Sequence, residues 1–236
     1  MKKCIALAST IERCAMLSFF FMAHCFGSVV VLVRDPDGTL TGGVDSLVTY
    51  TAPSGAFVRA RQQCKVFRSD KCVVMMTGIL SGPGVDLLDV MKRECSLYSN
   101  VRQIASAFFR SATSEIRAAA PPTTLLKFPM VAAVIAPDRQ QRKFEAAIVD
   151  FRDGVPRRLS GQNRVILYFG VLAPLDSFSS SHPEFYAQRS ADQVVRRYLQ
   201  VAATAQPATV GEKFSIFRID AHEGFRWIDT GLCPDE

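Results

Sequence analysis

The sequence predicts a mixed α/β fold in which two antiparallel sheets carry helices on their outer faces, a four-layer αββα sandwich. Three observations carry that expectation. Extended segments are joined by short turns rich in Asp, Pro, Gly and Ser, as in hairpins. The run 72–77 is apolar on both sides of the strand alternation, which suits a central strand covered on both faces. The element order is strands, two helices, strands, one helix, strands, with no repeat and no internal break from residue 28 to 236.

Residues 28–34 and 39–50 form a hairpin around Asp35-Pro36-Asp37-Gly38. Ala52-Pro53-Ser54-Gly55 is a second turn, residues 57–67 read as strand, and Arg68-Ser69-Asp70-Lys71 turns into 72–77. Residues 78–84 are a loop. The helix after it has Pro83 near its start and Leu88, Met91 and Cys95 on one face. Ser99 caps a second helix, where Val101, Ile104, Phe108, Ala112 and Ile116 recur at helical spacing until Pro121-Pro122 stops it. Residues 130–135 and 144–150 pair around a turn at 137–140, and Asp153-Gly154 turns again. Residues 165–169 are strand and 177–183 a Ser-rich loop. Residues 191–203 are helical with Val194, Val195, Tyr198 and Leu199 inward. Residues 214–219 and 225–228 close the chain as a hairpin.

At 236 residues and 48% apolar, the composition is that of a globular chain. The formal net charge is +6, and Lys2, Lys3 and Arg13 against Glu12 place part of it in the first 27 residues. With no dense Lys/Arg run and no basic-aromatic stripe, nucleic acid is not an expected partner.

Residues 1–27 read as a signal peptide or propeptide. A basic start precedes an apolar stretch at 14–23, and Cys25 and Gly27 put small residues at the third and first positions before a cut. Cleavage there leaves residues 28–236 as the mature domain, periplasmic or secreted, with Ser28 first. The alternative is an uncleaved membrane anchor. Residues 14–33 carry no Asp, Glu, Lys or Arg and are long enough to span a bilayer. Against it, residues 29–33 are mostly β-branched and lead straight into a hairpin turn. A membrane is a partner only on that alternative.

Cys4, Cys14 and Cys25 lie in the leader, and Cys64, Cys72, Cys95 and Cys233 remain. Four cysteines allow three pairings, among which sequence does not choose. No C-x-x-C pair occurs, and buried thiols are the simpler expectation.

The signatures G-x-S-x-G, H-E-x-x-H and G-x-x-x-x-G-K-[ST] are absent. Beyond the leader only His182 and His222 remain, and His222 beside Glu223 reads as a solvated turn, so a Ser-His-Asp mechanism is unsupported. A terminal Ser needs no histidine. Its own α-amine, with a pKa near ~8, can act as the base. A lysine ammonium beside the hydroxyl eases its deprotonation, and an aspartate can hold that lysine.

Ser28, the hairpin to Gly43-Val44-Asp45-Ser46, then Lys65-Val66-Phe67, then Met75-Met76-Thr77-Gly78 before a helix, together resemble the proteasome-type N-terminal nucleophile hydrolases. That family includes proteasome β-subunits and bacterial proteasome-like peptidases. The resemblance covers nearly the whole chain from Ser28 and implies an N-terminal nucleophile fold acting on peptide or amide bonds. It implies Ser28 as nucleophile, where threonine is usual, after Gly27 as the residue preceding the cut. It implies Asp45 and Lys65 as the charged pair, Gly78 N–H as oxyanion donor and Met76 in an apolar first specificity pocket. It implies homo-oligomeric rings and requires no metal or organic cofactor. The chain also departs from the family. The Ser28–Asp45 interval is one residue longer, and the Asp45–Lys65 loop is longer. Phe169 falls where a serine of a Gly-Ser-Gly segment is expected. Gln206 replaces a supporting aspartate, with Thr209 for the serine after it. These losses leave a second expectation open, a catalytically inactive scaffold or binding protein of the same fold.

Overall fold

The computed structural model describes residues 28–51, 57–78, 81–82, 85–119, 130–138, 143–160 and 163–233. The leader, Gly27 and the turns at 52–55 and 121–122 lie outside them, as does Pro83.

The first hairpin sets the centre of one sheet. Strands β1 (Val29–Arg34) and β2 (Leu40–Asp45) pair antiparallel with Val30 opposite Val44. Their turn is closed by Asp35 N–H on Thr39 O and by Gly38 N–H on Asp35 O. Between β2 and the next strand the expected single run 39–50 breaks. Ser46 N–H turns to Lys213 O, and β3 (Leu47–Thr51) leaves to pair with β4 (Phe57–Gln62) as a separate ribbon. The expected strand 57–67 likewise breaks at residues 63–65, before β5 (Val66–Arg68). Strand β6 (Val73–Thr77) is an interior strand next to the edge strand β5, not the central one, and its apolar residues are buried on both faces.

The expected loop at 78–84 contains part of a small ladder, β7 (Ser81–Gly82) with β8 (Val85–Asp86). Helices α1 (Leu87–Leu97) and α2 (Val101–Ala119) follow. The cap of α2 is Asn100, whose Oδ1 accepts from Arg102 N–H at 2.9 Å, and not Ser99. Strands β9 (Val131–Asp138), β10 (Lys143–Asp150), β11 (Arg157–Leu159) and β12 (Val165–Gly170) come next. The Ser-rich stretch expected as a loop is mostly helix, α3 (Leu172–Ser181), followed by the single turn α4 (Phe185–Gln188) and then α5 (Ala191–Ala205). Strands β13 (Phe214–Asp220) and β14 (Gly224–Asp229) form the closing hairpin.

Two five-stranded antiparallel sheets result, ordered β12-β1-β2-β13-β14 and β11-β10-β9-β6-β5. Strand alternation distributes the apolar residues among three clusters. Val30, Leu32 and Phe217 of the first sheet meet Met75, Ala133 and Ile135 of the second. Val29, Val31 and Val33 turn the other way, onto Val195, Tyr198 and Leu199 of α5. Val74, Met76 and Val134 of the second sheet pack on Met91 of α1 and Phe108 of α2. Each fully buried side chain of this size contributes about 1.5–3 kcal/mol, so both sheets are held on both faces. Because β1 is the second strand of a sheet, residues 29–33 are not part of an apolar membrane helix. Among the described residues no helix is long and apolar enough to cross a membrane.

The expectation of free buried thiols is corrected. Cys64 is bonded to Cys233 and Cys72 to Cys95, with Cα separations of 4.8 and 6.0 Å. Residues 64 and 233 are far apart in sequence and meet only when the C-terminal turn folds back beside β5, a proximity that periodicity does not encode.

Candidate active site

The register Val30↔Val44 brings the start of β1 and the end of β2 side by side. Ser28 sits just before β1, and Asp45 is the last residue of β2. Lys65 comes from the opposite sheet, as the residue preceding β5. All three are buried: Ser28 is 7% exposed, Lys65 3% and Asp45 0%.

The three side chains form one hydrogen-bonded unit. Lys65 Nζ donates to Ser28 Oγ at 2.5 Å and to both carboxylate oxygens of Asp45 at 2.9 Å. Ser28 Oγ in turn donates to Asp45 Oδ1 at 3.1 Å. The hydroxyl is therefore polarised from both sides, as acceptor from an ammonium and donor to a carboxylate. A cation on Oγ stabilises the charge that builds when the proton leaves.

Burial sets the electrostatics. Loss of water pushes the Lys65 amine below its ordinary value of 10.5, and the charge and hydrogen bonds of Asp45 oppose that shift. Asp45 can hold the lysine in one place because other donors fix the carboxylate's orientation. Oδ1 also accepts from Val29 N–H at 2.9 Å, and Oδ2 accepts from Leu47 N–H at 3.0 Å and Gly211 N–H at 3.1 Å. Three backbone donors from three chain segments thus orient one carboxylate. Sequence reasoning missed all three, since a backbone N–H has no side-chain signature.

Gly78 follows β6, whose neighbour across the inter-sheet core is β1. Its φ of +94° is a conformation that side chains disfavour, and an added Cβ would lie 2.7 Å from Met130 Cγ. Glycine at 78 therefore has a steric reason whatever its N–H does. Met76, two residues earlier, points to the helix-side cluster, where it is fully buried with Val48 while Phe67 packs against the cluster.

The positions at which the chain departs from the resemblance are occupied differently. Phe169 pairs with Val30 across β12 and β1 and packs on the inter-sheet cluster. Thr209 Oγ1 donates to Gln206 Oε1 at 3.2 Å, closing the turn after α5. Gly170, beside Phe169, lies against the backbone of Ser28, and a Cβ there would stand 1.6 Å from the Ser28 carbonyl oxygen.

No family model matches the chain, and no curated protein matches it. Solved structures do match in fold. Eukaryotic HslV from Trypanosoma brucei aligns at 15% identity with a TM-score of 0.56, over 81% of this chain and 99% of that one. Anbu (ancestral beta-subunit) from Yersinia bercovieri aligns at 11% identity with a TM-score of 0.61, over 86% of this chain and 88% of that one. An Anbu (Gly-1) mutant from Hyphomicrobium sp. strain MC1 aligns at 11% identity with a TM-score of 0.61, over 89% of both chains. Together with the paired antiparallel sheets, these likenesses give the chain a proteasome-type fold.

Proposed function

We propose that residues 1–27 are removed and that the remaining domain, a four-layer αββα sandwich of the N-terminal nucleophile type, is a proteasome-like peptidase or amidohydrolase with Ser28 as nucleophile. The observation that carries this reading is the Ser28 hydroxyl, bonded at once to the buried Lys65 ammonium and to Asp45. Loss of the peptide bond to residue 27 turns the Ser28 nitrogen into an amine with a pKa of about 8. That amine takes the hydroxyl proton, directly or through one water. Oγ then attacks the carbonyl carbon of the substrate while the Lys65 ammonium stabilises the charge on Oγ. Asp45 fixes Lys65, and Gly78 N–H receives the developing oxyanion. The amine passes its proton to the leaving nitrogen, and water then hydrolyses the Ser28 ester. Met76, in the apolar cluster that also holds Val48 and against which Phe67 packs, is assigned to the first specificity pocket. These steps use no metal or organic cofactor. The leader supports a periplasmic or secreted location, and the likeness to HslV and Anbu supports assembly into a homo-oligomeric ring.

The test is hydrolysis of a fluorogenic peptide library by the mature protein. The reading expects turnover that falls by about 10³-fold or more in Ser28→Ala. The competing reading, an inactive scaffold or binding protein, is favoured by Phe169 and Gln206 where the resemblance expects a serine and an aspartate. Absence of turnover by the unsubstituted mature protein would select it.

A further inference from the structure

We propose that the Cys64–Cys233 disulfide is a positioning device for Lys65, so that hydrolysis at Ser28 depends on the redox state of that bond. This rests on reading Ser28, Asp45 and Lys65 as the hydrolytic site. Lys65 stands in a poorly anchored place. Residues 63–65 belong to no strand, and β5 after them is a three-residue strand at the edge of its sheet. Edge strands that short hold their ends weakly. Within residues 63–65, Gln63 N–H bonds to Ser46 O at 2.8 Å, and Cys64 is bonded covalently to Cys233.

Cys233 carries that anchor to the other half of the site. Its N–H donates to Thr230 O at 2.8 Å, and the same carbonyl accepts from Ser215 Oγ at 2.8 Å. Ser215 lies on β13 opposite Val44, and Phe214 before it lies opposite Asp45. A short path therefore runs from Lys65 through Cys64, Cys233, Thr230 and Ser215 to the strand beside Asp45. It joins the two sheets at the point where Lys65 must reach across from one to the other. Cys72–Cys95 has no such path. Cys72 precedes β6 near the Arg68 end of β5, and its bond runs to α1.

Cys64 is partly buried and Cys233 is 6% exposed, so a small dithiol would approach the bond from the Cys64 side. The dithiol supplies two electrons and two protons, becomes a cyclic disulfide, and leaves Cys64 and Cys233 as thiols. With the link cut, the backbone at Lys65 loses its covalent tie, and the bonds to Asp45 alone hold the ammonium near Ser28 Oγ. A misplacement of about 1 Å costs on the order of 10²-fold in rate.

The experiment compares the oxidised protein, the dithiothreitol-reduced protein, Cys64→Ser/Cys233→Ser and Cys72→Ser/Cys95→Ser. Two readouts run in parallel: peptide hydrolysis resolved into kcat and KM, and acylation of Lys65 by an amine-reactive ester, followed by mass spectrometry. Breaking the 64–233 bond is expected to lower kcat by about 10²-fold with KM held. Lys65 acylation should rise by about tenfold as the site opens locally. The 72–95 double variant is expected to match the oxidised protein in both readouts even where its melting temperature falls. Unchanged Lys65 acylation after the 64–233 bond is broken overturns the proposal, and so does an equal change in the 72–95 variant. If no state hydrolyses peptide, the hydrolase reading fails by itself, and the acylation rates still decide whether the bond holds Lys65.

Discussion

Asp45→Asn is the perturbation whose consequences follow most directly from the geometry. The side chain is wholly enclosed and serves Ser28 Oγ, three backbone N–H groups and Lys65. An amide of the same size puts donors where one oxygen accepted. Turned toward Leu47 and Gly211 it confronts two N–H groups. Turned toward Ser28 it confronts one backbone donor, Val29 N–H, since the hydroxyl can rotate and accept, and in either orientation Lys65 loses one of its two acceptor oxygens. The second orientation is cheaper and leaves one buried donor unpaired, at about 1–3 kcal/mol. Lys65 meanwhile loses its counter-charge at 3% exposure, and breaking a buried pair costs about 3–5 kcal/mol. The lysine can shed part of that cost by releasing its proton, so the two do not sum fully. We expect a loss of about 3–6 kcal/mol, a large share of the 5–15 typical of a domain.

Urea unfolding across a pH series is the assay. In the unsubstituted protein the folded pKa of Lys65 lies below the unfolded 10.5, so the unfolded chain holds more protons between the two values. Stability therefore rises as pH climbs toward 10.5 and is lost as pH falls through the folded value. The substitution removes the charge and hydrogen bond that raise the Lys65 pKa, so the rise should begin at lower pH and be larger. A loss below about 1 kcal/mol, or an unchanged pH profile, would refute the assignment of Asp45 as the partner that stabilises Lys65.

Gly170→Ala places a methyl group 1.6 Å from the Ser28 carbonyl at a φ of +102°, and should cost more than about 3 kcal/mol or prevent folding. Wild-type-like melting by circular dichroism would contradict the close backbone approach. Gly78→Ala should cost about 1–2 kcal/mol and lower kcat more than it raises KM. Unchanged kcat in a folded variant would remove Gly78 from the oxyanion role. Burial, followed by the hydrogen bond to Asp176, pushes Tyr168 up to about 12. Its share of stability is accordingly complete below the ordinary value of 10.0 and is lost as pH rises through about 12. Phenolate absorbance should show a late-titrating component that moves earlier in Asp176→Asn, and no change in that variant would count against the contact.

Much of the fold was legible because period and turn chemistry agree locally. The Asp-Pro-Asp-Gly turn and the alternation in β1 and β2 point to the same hairpin, and the spacing of Val194, Val195, Tyr198 and Leu199 marks the inner face of α5. The errors fall where tertiary partners override local preference. Ser177, Ser179, Ser180 and Ser181 suggest a loop. The buried pair Leu175 and Phe178 holds α3 against α5, and Ser180 and Ser181 bond back to the carbonyls of Asp176 and Ser177. The run 39–50 looks continuous, but Leu47 N–H goes to Asp45 Oδ2 and the ladder breaks there. In the site, the order Ser28, Asp45, Lys65 was visible as a set of side chains. Gly211 was invisible, because its contribution is a backbone N–H on Asp45 from 166 positions away.

Intact mass and amino-terminal sequencing of the protein purified from its own host test the central claim most directly. The account predicts one mature species beginning at Ser28, with the amine that accepts the hydroxyl proton set free. A peptide-hydrolysing species that still carries residues 1–27, or that begins at another residue, would contradict it.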